Sequence, residues 1–322
     1  RRQAHSPSLT KLLRKPLSFL RRLAPYGAGV LFLALVLRLL WRDTYPFSAP
    51  TFYALPLPLH LTGWLWLAGL WWRPQRRKAI GSVCMAALMA LLWTVQTKRL
   101  CRELAAPPGP GPRVFFWNIG HVRAVPPALH ELLDEHSPDI AAFAEAEKLG
   151  ERGRRELVDR HAGFELLDLP EGMICMVKGH ASLLSSRKLP RRSVVSLVTA
   201  NLNRFPDEWR ICLTDIGPLP PLSRESNLTE VYGTAFGHPR TIIAGDFNTP
   251  LDSASFDRWR ESYHHGFADC SSWHGPLETW AFGLPVLAID HIWMSPDLVP
   301  VSAIKAPRRW QDHSWIMVDC GM

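Results

Sequence analysis

Acidic side chains are nearly missing from the first third of this 322-residue chain: residues 1–102 hold sixteen Lys/Arg and one carboxylate, Asp43. The rest holds 21 Lys/Arg and 28 Asp/Glu, so the overall net charge of +8 belongs to the first segment alone. The basic balance is therefore no mark of nucleic-acid binding. The six cysteines show no CxxC or other paired spacing, which excludes a cysteine metal site or a disulfide framework read from spacing. No internal repeat is present. With 47% hydrophobic and 20% charged residues the chain is not disordered.

Charge is also scarce within the basic third. Residues 23–41 contain only Arg38, and residues 44–72 and 79–97 contain no charge. At about 1.5 Å per residue each stretch reaches across a hydrocarbon core of about 30 Å. Tyr26, Trp41, Tyr45, Tyr53, Trp71, Trp72 and Trp93 lie near their ends, as interfacial anchors do. Three transmembrane helices are predicted, with residues 1–104 as a membrane anchor. A buried soluble bundle would need polar faces at a 3.6-residue period, and none is present. A secretory signal peptide is the other reading of the first stretch, since basic residues precede an apolar run, although no small-residue cleavage site follows it. Seven Lys/Arg precede the first stretch and four lie between the second and third, but only Arg42 lies between the first and second. Basic loops stay cytoplasmic, so three crossings would leave the following domain outside, although Lys98, Arg99 and Arg102 pull the other way.

Residues 105–112, AAPPGPGP, read as a short stiff linker, because proline neither continues a helix nor donates to a sheet. Beyond it, apolar runs at 114–119, 140–144, 194–200, 211–214, 241–244, 286–293 and 315–318 predict strands. Leu129, Leu132, Leu133 and His136 recur at helical spacing. Local alternation, with some strands following one another directly, suits one layered α/β domain over residues 113–322.

Polar side chains punctuate the ends of these runs. Asn118 ends VFFWN, Glu145 ends PDIAAFAE, Asp246 and Asn248 lie in GDFN, Asp290 and His291 in AIDHIW, and Asp312 and His313 precede WIMVD. Asn, Asp and Glu oxygens suit a hard cation such as Mg²⁺, and a His beside an Asp offers a polarised imidazole. Singly, each has an ordinary reading. Asn118, Asn248 and Asp246 fit turns, Glu145 fits a solvated strand end, and His291 fits packing.

Their order, together with IIAGDFNTP at 242–250, FFWNIG, GFAD, LETW, IDHIWMS and QDHSWIMV, resembles the endonuclease/exonuclease/phosphatase superfamily over about residues 113–319. That superfamily of metal-dependent phosphoesterases includes deoxyribonuclease I, apurinic endonucleases, neutral sphingomyelinases and inositol polyphosphate phosphatases. The resemblance implies a four-layer α-β-β-α sandwich. It implies Glu145 as principal ligand of Mg²⁺, for which Mn²⁺ can substitute, with Asn118 and Asp312 close to the metal. By the same resemblance Asp246 orients and deprotonates the attacking water, Asn248 positions phosphate or water, and His313, held by Asp290, hydrogen-bonds the phosphoryl oxygens. The apolar helices resemble those of a bacterial subgroup, implying a multi-pass inner-membrane protein with a periplasmic catalytic domain.

Three departures from the family pattern stand out. Gly120 occupies a position where many family nucleases carry an acid. Asp215 ends ICLTD where many members carry a phosphate-contacting histidine. As a strand-end carboxylate it is expected to be ionised, so either another group replaces the histidine, His180 or Arg224 being available, or the substrate differs from that of the histidine-bearing members. Glu147 offers a second carboxylate beside Glu145 and reads as a solvated neighbour. The catalytic part is net acidic apart from a local basic stretch at Arg187, Lys188, Arg191 and Arg192. A phospholipid or small phosphoester substrate therefore ranks above nucleic acid, with a nuclease, or an inactive membrane-bound binding protein, as alternatives.

Overall fold

The computed structural model describes residues 9–100, 109–218, 224–262, 264–265, 280, 286–306 and 312–322. The chain divides into two compact units, Arg1–Gln96 and Thr97–Met322.

The first unit contains α1 (Leu9–Trp41), α2 (Ala49–Ala54) and α3 (Leu57–Trp71), and α4 (Arg76–Leu100) starts within it. Two spans are long and apolar enough to cross a membrane, Pro16–Trp41 and Arg76–Gln96. The expected crossing over 44–72 is not one helix. It breaks at Pro56, which sits in extended backbone at φ −66°, ψ 161° before α3, because proline offers no amide hydrogen and its ring clashes with a preceding turn. The 15 residues of α3 rise only about 22 Å, short of a core of about 30 Å. Arg38, the single charge of the first stretch, is buried, donates to Phe52 O at 2.9 Å and lies 4.3 Å from the Phe52 ring centre. The lone acid Asp43 accepts from the Tyr53 hydroxyl at 2.8 Å.

The second unit is built on two six-stranded sheets. Sheet 1 contains β1 (Pro110–Asn118), β2 (Ile140–Ala144), β3 (Glu165–Leu169), β4 (Met173–Val177), β11 (Val299–Ala306) and β12 (Trp315–Gly321), in the order β11-β12-β1-β2-β4-β3. Sheet 2 contains β5 (Gly179–Leu189), β6 (Ser193–Leu202), β7 (Glu208–Asp215), β8 (Thr241–Asp246), β9 (His264–His265) and β10 (Asp290–Met294), in the order β5-β6-β7-β8-β10-β9. Alternation divides β1: Val114 and Phe116 join the core shared with sheet 2, whereas Phe115 and Trp117 pack under α5 (Pro127–His136) and α6 (Gly150–Arg160) with Leu129, Leu132, Leu133 and Leu157. Against sheet 2, α7 (Glu225–Ala235) packs on β6 and β7. Trp259 of α8 (Asp257–Ser262) meets Phe247 and Phe256 edge to face and Trp293 at a tilt. Two sheets with helices packed on them is the layered α/β arrangement that the sequence implied.

Several boundaries differ from expectation: β7 starts three residues before the apolar run at 211–214, and β12 ends three residues past the one at 315–318. The linker ends earlier, since β1 begins at Pro110, whose partner is Gly321, and the register slips between Pro110 and Arg113. Proline lacks a donor but keeps its carbonyl, and an irregular strand start tolerates it. The run at 286–293 is strand only from Asp290.

Candidate active site

Parallel pairing sets the site. β1 runs parallel to β2 and β7 runs parallel to β8, so Asn118, Glu145, Asp215 and Asp246 all emerge at strand C-terminal ends. The antiparallel register opposes Asp290 to Asp246, and His313 enters just before β12. Gly245 is required for this approach: a Cβ there would lie 2.0 Å from Thr214 O of the neighbouring strand.

Asp246 is the hub. Its Oδ2 accepts from Asn118 Nδ2 at 2.9 Å and its Oδ1 from the Asn248 amide at 2.8 Å. Asn118 is itself fixed, because its Oδ1 accepts from the Gly120 amide at 2.9 Å. His313 Nδ1 lies 2.8 Å from Asp290 Oδ2, and His313 Nε2 lies 3.9 Å from Asp246 Oδ2. All four side chains are buried. Asn248, at φ +46°, turns its amide inward and donates Nδ2 to Ile216 O at 2.8 Å.

Charge is crowded here. Burial, then the nearby Asp290, pushes the Asp246 carboxyl well above the usual carboxylate range, against the opposing pull of His313. Burial disfavours the His313 imidazolium, but the charge and hydrogen bond of Asp290, with the charges of Asp246 and Asp312, outweigh it and raise the ring to about 10. Asp215 is not simply ionised as expected: burial and the carboxylates of Glu145 and Asp290 push it up to about 7. The carboxylates around this imidazolium form a hard oxygen donor set that fits a divalent cation, and Asp246 and Asp290 each offer an oxygen within 4.8 Å of the other and of a His313 ring nitrogen.

Glu145 and Asp312 lie at the edge of this group. Glu145, at φ +55°, sits 3.3 Å from His121 Nε2, and the other ring nitrogen of His121 pairs with Glu147. Glu147 is therefore bound rather than merely solvated, and the His121 bridge had no sequence signal. Half-buried Asp312 acts on His313 through its charge. His180 is excluded as the replacement histidine: it lies at the far end of β5, where Gly179 pairs with Leu202, and contacts Glu165 at 2.8 Å. Buried Arg224 donates to the carbonyls of Asn248 and Pro218 and so braces the loop. His291 is a packing residue, as read. Its Nε2 donates to Thr249 O at 2.9 Å, and burial lowers it to about 4. The GFAD motif, the first three residues of LETW and Gln311 lie outside the described residues.

The family model "Endonuclease/Exonuclease/phosphatase family" matches residues 115–313, which take in every residue of this cluster and all strands of the two sheets but β12 and the start of β1. The chain belongs to that family. Its shared chemistry is metal-dependent hydrolysis of phosphoric esters. A comparison with curated protein sequences finds no match. Among solved structures, D. rerio TDP2 complexed with a single-strand DNA product is similar at TM-score 0.52 and 15% identity, covering 65% of this chain and 98% of that one. The human Nocturnin catalytic domain with bound sulfate is similar at TM-score 0.50 and 18% identity, covering 67% and 95%. A Bacteroides thetaiotaomicron mannosyl-6-phosphatase is similar at 0.50 and 13%, covering 66% and 100%. At these identities the likeness is one of fold.

Proposed function

We propose that the chain is a membrane-anchored, Mg²⁺-dependent phosphoesterase that cleaves a phosphodiester or phosphomonoester by in-line attack of an Asp246-activated water. The observation that carries this reading is the paired geometry of Asn118 with Asp246 and of Asp290 with His313, 3.9 Å apart at one end of two sheets. Each Asp246 oxygen accepts one hydrogen bond, which fixes the carboxylate plane and leaves lone pairs to take a proton from water. His313 gives one N–H to Asp290 and keeps Nε2–H for a phosphoryl oxygen, its positive charge offsetting charge that builds in the transition state. Glu145, Asn118 and Asp312 would hold the divalent cation, which when bound supplies further positive charge against the phosphoryl oxygens. Asn248 orients phosphate or water. Asp215, half-protonated near neutrality, is able to donate a proton where many relatives present a histidine.

The test is hydrolysis of bis(p-nitrophenyl) phosphate by the full chain in detergent with Mg²⁺ or Mn²⁺. Turnover that stops on adding EDTA is expected, and turnover unaffected by EDTA, or none with either ion, removes the reading. Phospholipid and small phosphoesters rank first as substrates because a membrane anchor concentrates such groups and the catalytic unit is acidic in bulk.

Two spans, where three were expected, also change the sidedness. Five Lys/Arg precede the first span, with Arg21 and Arg22 in its first two turns, and Lys98, Arg99 and Arg102 follow the second. With two crossings both ends share a side, and their larger basic count places the catalytic domain on the cytoplasmic side, against the pull of Arg42 and Arg73 between the spans and of Arg76, Arg77 and Lys78 in the first turn of the second. Alkaline phosphatase fused after Gly321 should be inactive in a bacterial host, and an active fusion would make α3 a third crossing.

A further inference from the structure

Glu145 stands beside a histidine that the reaction described above does not use. The pairing of β1 with β2 continues past the ends of both strands: the Ile119 amide donates to Ala144 O at 3.1 Å and the His121 amide to Glu145 O at 2.8 Å. This brings the His121 ring to the Glu145 carboxylate, with Nε2 3.3 Å from Glu145 Oε2, while Nδ1 contacts Glu147. Glu147 is fixed in turn. The Ala146 amide donates to Gly172 O at 2.8 Å, and a Cβ on Gly172 would lie 2.7 Å from the Glu147 amide nitrogen. All three side chains keep access to solvent, so an ion reaches them without the fold opening.

A neutral imidazole has one N–H and one lone pair. Glu147, the closer carboxylate, takes the N–H of Nδ1, and Nε2 then turns its lone pair on Glu145 Oε2. Two acceptor atoms facing each other repel unless a cation bridges them, either a proton on Nε2 or a metal ion. The spacing suits a metal ion. Two ligand atoms about 2.1 Å from one ion, at bond angles between octahedral and tetrahedral, stand about 3.0–3.4 Å apart, and the pair here is 3.3 Å apart. The carboxylate on the other ring nitrogen points the same way. A metal-bound histidine characteristically gives its second N–H to a carboxylate, which fixes the tautomer and makes the ring a better donor. Glu147, His121 and Glu145 stand in that order, and Asn118 is tied to the same loop, its Oδ1 accepting from the Gly120 amide at 2.9 Å.

We propose that His121 Nε2 is a ligand of the divalent cation held at Glu145, with Glu147 as the carboxylate that orients its ring. The metal takes the place of the Nε2 proton, and the Nδ1 proton stays with Glu147. One imidazole among oxygen donors raises the affinity for Mn²⁺ relative to Mg²⁺, which prefers oxygen throughout. The site is thus tuned to a transition metal, while Mg²⁺ binds through the oxygens alone. This rests on the metal site of the phosphoesterase reading above.

The experiment is Mn²⁺ binding to the full chain in detergent, without substrate, read by calorimetry and by pulsed electron paramagnetic resonance, in which a directly bound nitrogen nucleus modulates the Mn²⁺ echo. The wild-type chain should show a bound nitrogen. In His121→Ala that signal should vanish and Mn²⁺ affinity fall by about tenfold or more, with Mg²⁺ affinity changed by less than about twofold. Glu147→Gln should weaken Mn²⁺ binding about tenfold, and should add nothing in the His121→Ala background, because it acts through the ring. His313→Ala should keep the nitrogen signal, since that ring is held by Asp290. His121→Gln separates ligation from a positioning hydrogen bond to Glu145: the amide keeps a donor but supplies no nitrogen ligand, so Mn²⁺ affinity should stay low. No bound nitrogen in the wild type, a signal that survives His121→Ala, or full affinity in His121→Gln would overturn the proposal. A nitrogen signal that depends on His121, in a chain that hydrolyses no phosphoester, would instead count against the phosphoesterase reading alone.

Discussion

Asp246→Asn is expected to lower kcat by about 10²–10⁴-fold, the range for a removed general base. The substitution keeps the size of the side chain but leaves one oxygen for two donors, Asn118 Nδ2 and the Asn248 amide. One donor loses its acceptor, which costs about 1–3 kcal/mol. In the metal-free protein, removing a carboxylate that is buried against Asp290 relieves repulsion and offsets part of that cost. Stability should therefore change little while turnover collapses. Steady-state kinetics on bis(p-nitrophenyl) phosphate, with a thermal melt on the same preparation, separates the two. Wild-type turnover in this variant would mean that some other group activates the water.

The same residue shows how much of the site was legible. GDFN marked Asp246 through its resemblance to a family motif, and the fold shows why three of its letters stand there. Gly245 is forced by the closeness of Thr214, Asp246 ends a buried strand, and Asn248 closes the turn on the Asp246 carboxylate. The strand at 140–144 was likewise readable, since five small or apolar residues are bounded by Pro138-Asp139 and Glu145, and it forms over Ile140–Ala144. β5 was not. It is an edge strand of mostly exposed residues, GHASLLSSRKL, so its pairing to β6 leaves no two-residue hydropathy pattern. The break before α3 was visible as Pro56 but was overridden by hydropathy, which counts proline as uncharged and ignores its missing amide.

Long-range electrostatics were least accessible. Asp215 seemed an ordinary ionised carboxylate because nothing near it in sequence is acidic. Its elevation comes from burial and from Glu145 and Asp290, groups brought in by strands of both sheets. The contact of His121 with Glu145 and Glu147 depends on left-handed backbone at two positions, His121 at +56° and Glu145 at +55°, which neither residue type announces. The charge patch, by contrast, was legible as a patch but not by member. Arg187 pairs with Glu230 and Lys188 with Glu171, pairings that no spacing in the sequence announces.

His313→Ala is expected to lower kcat by at least about 10²-fold, because a charged donor aimed at the phosphoryl oxygens is lost. Asp290 and Asp246 hold the ring protonated up to about pH 10, so His313 enters the reaction as a donor and not as a base. His313→Gln should then recover part of the loss, since a side-chain amide still donates, whereas a base role would gain nothing from it. The pH dependence carries the same sign. The folded-state value lies above the 6.5 of a free imidazole, so the stability this residue contributes is fully present below about pH 6.5 and is lost as pH rises through 10. In metal-free protein the wild-type Tm should accordingly fall between pH 7 and 10, and the His313→Ala variant should show a shallower fall over that window. Parallel pH profiles of Tm in the two proteins, or a glutamine variant no better than alanine, would show that the Asp290 hydrogen bond does not hold a charged imidazole at this position.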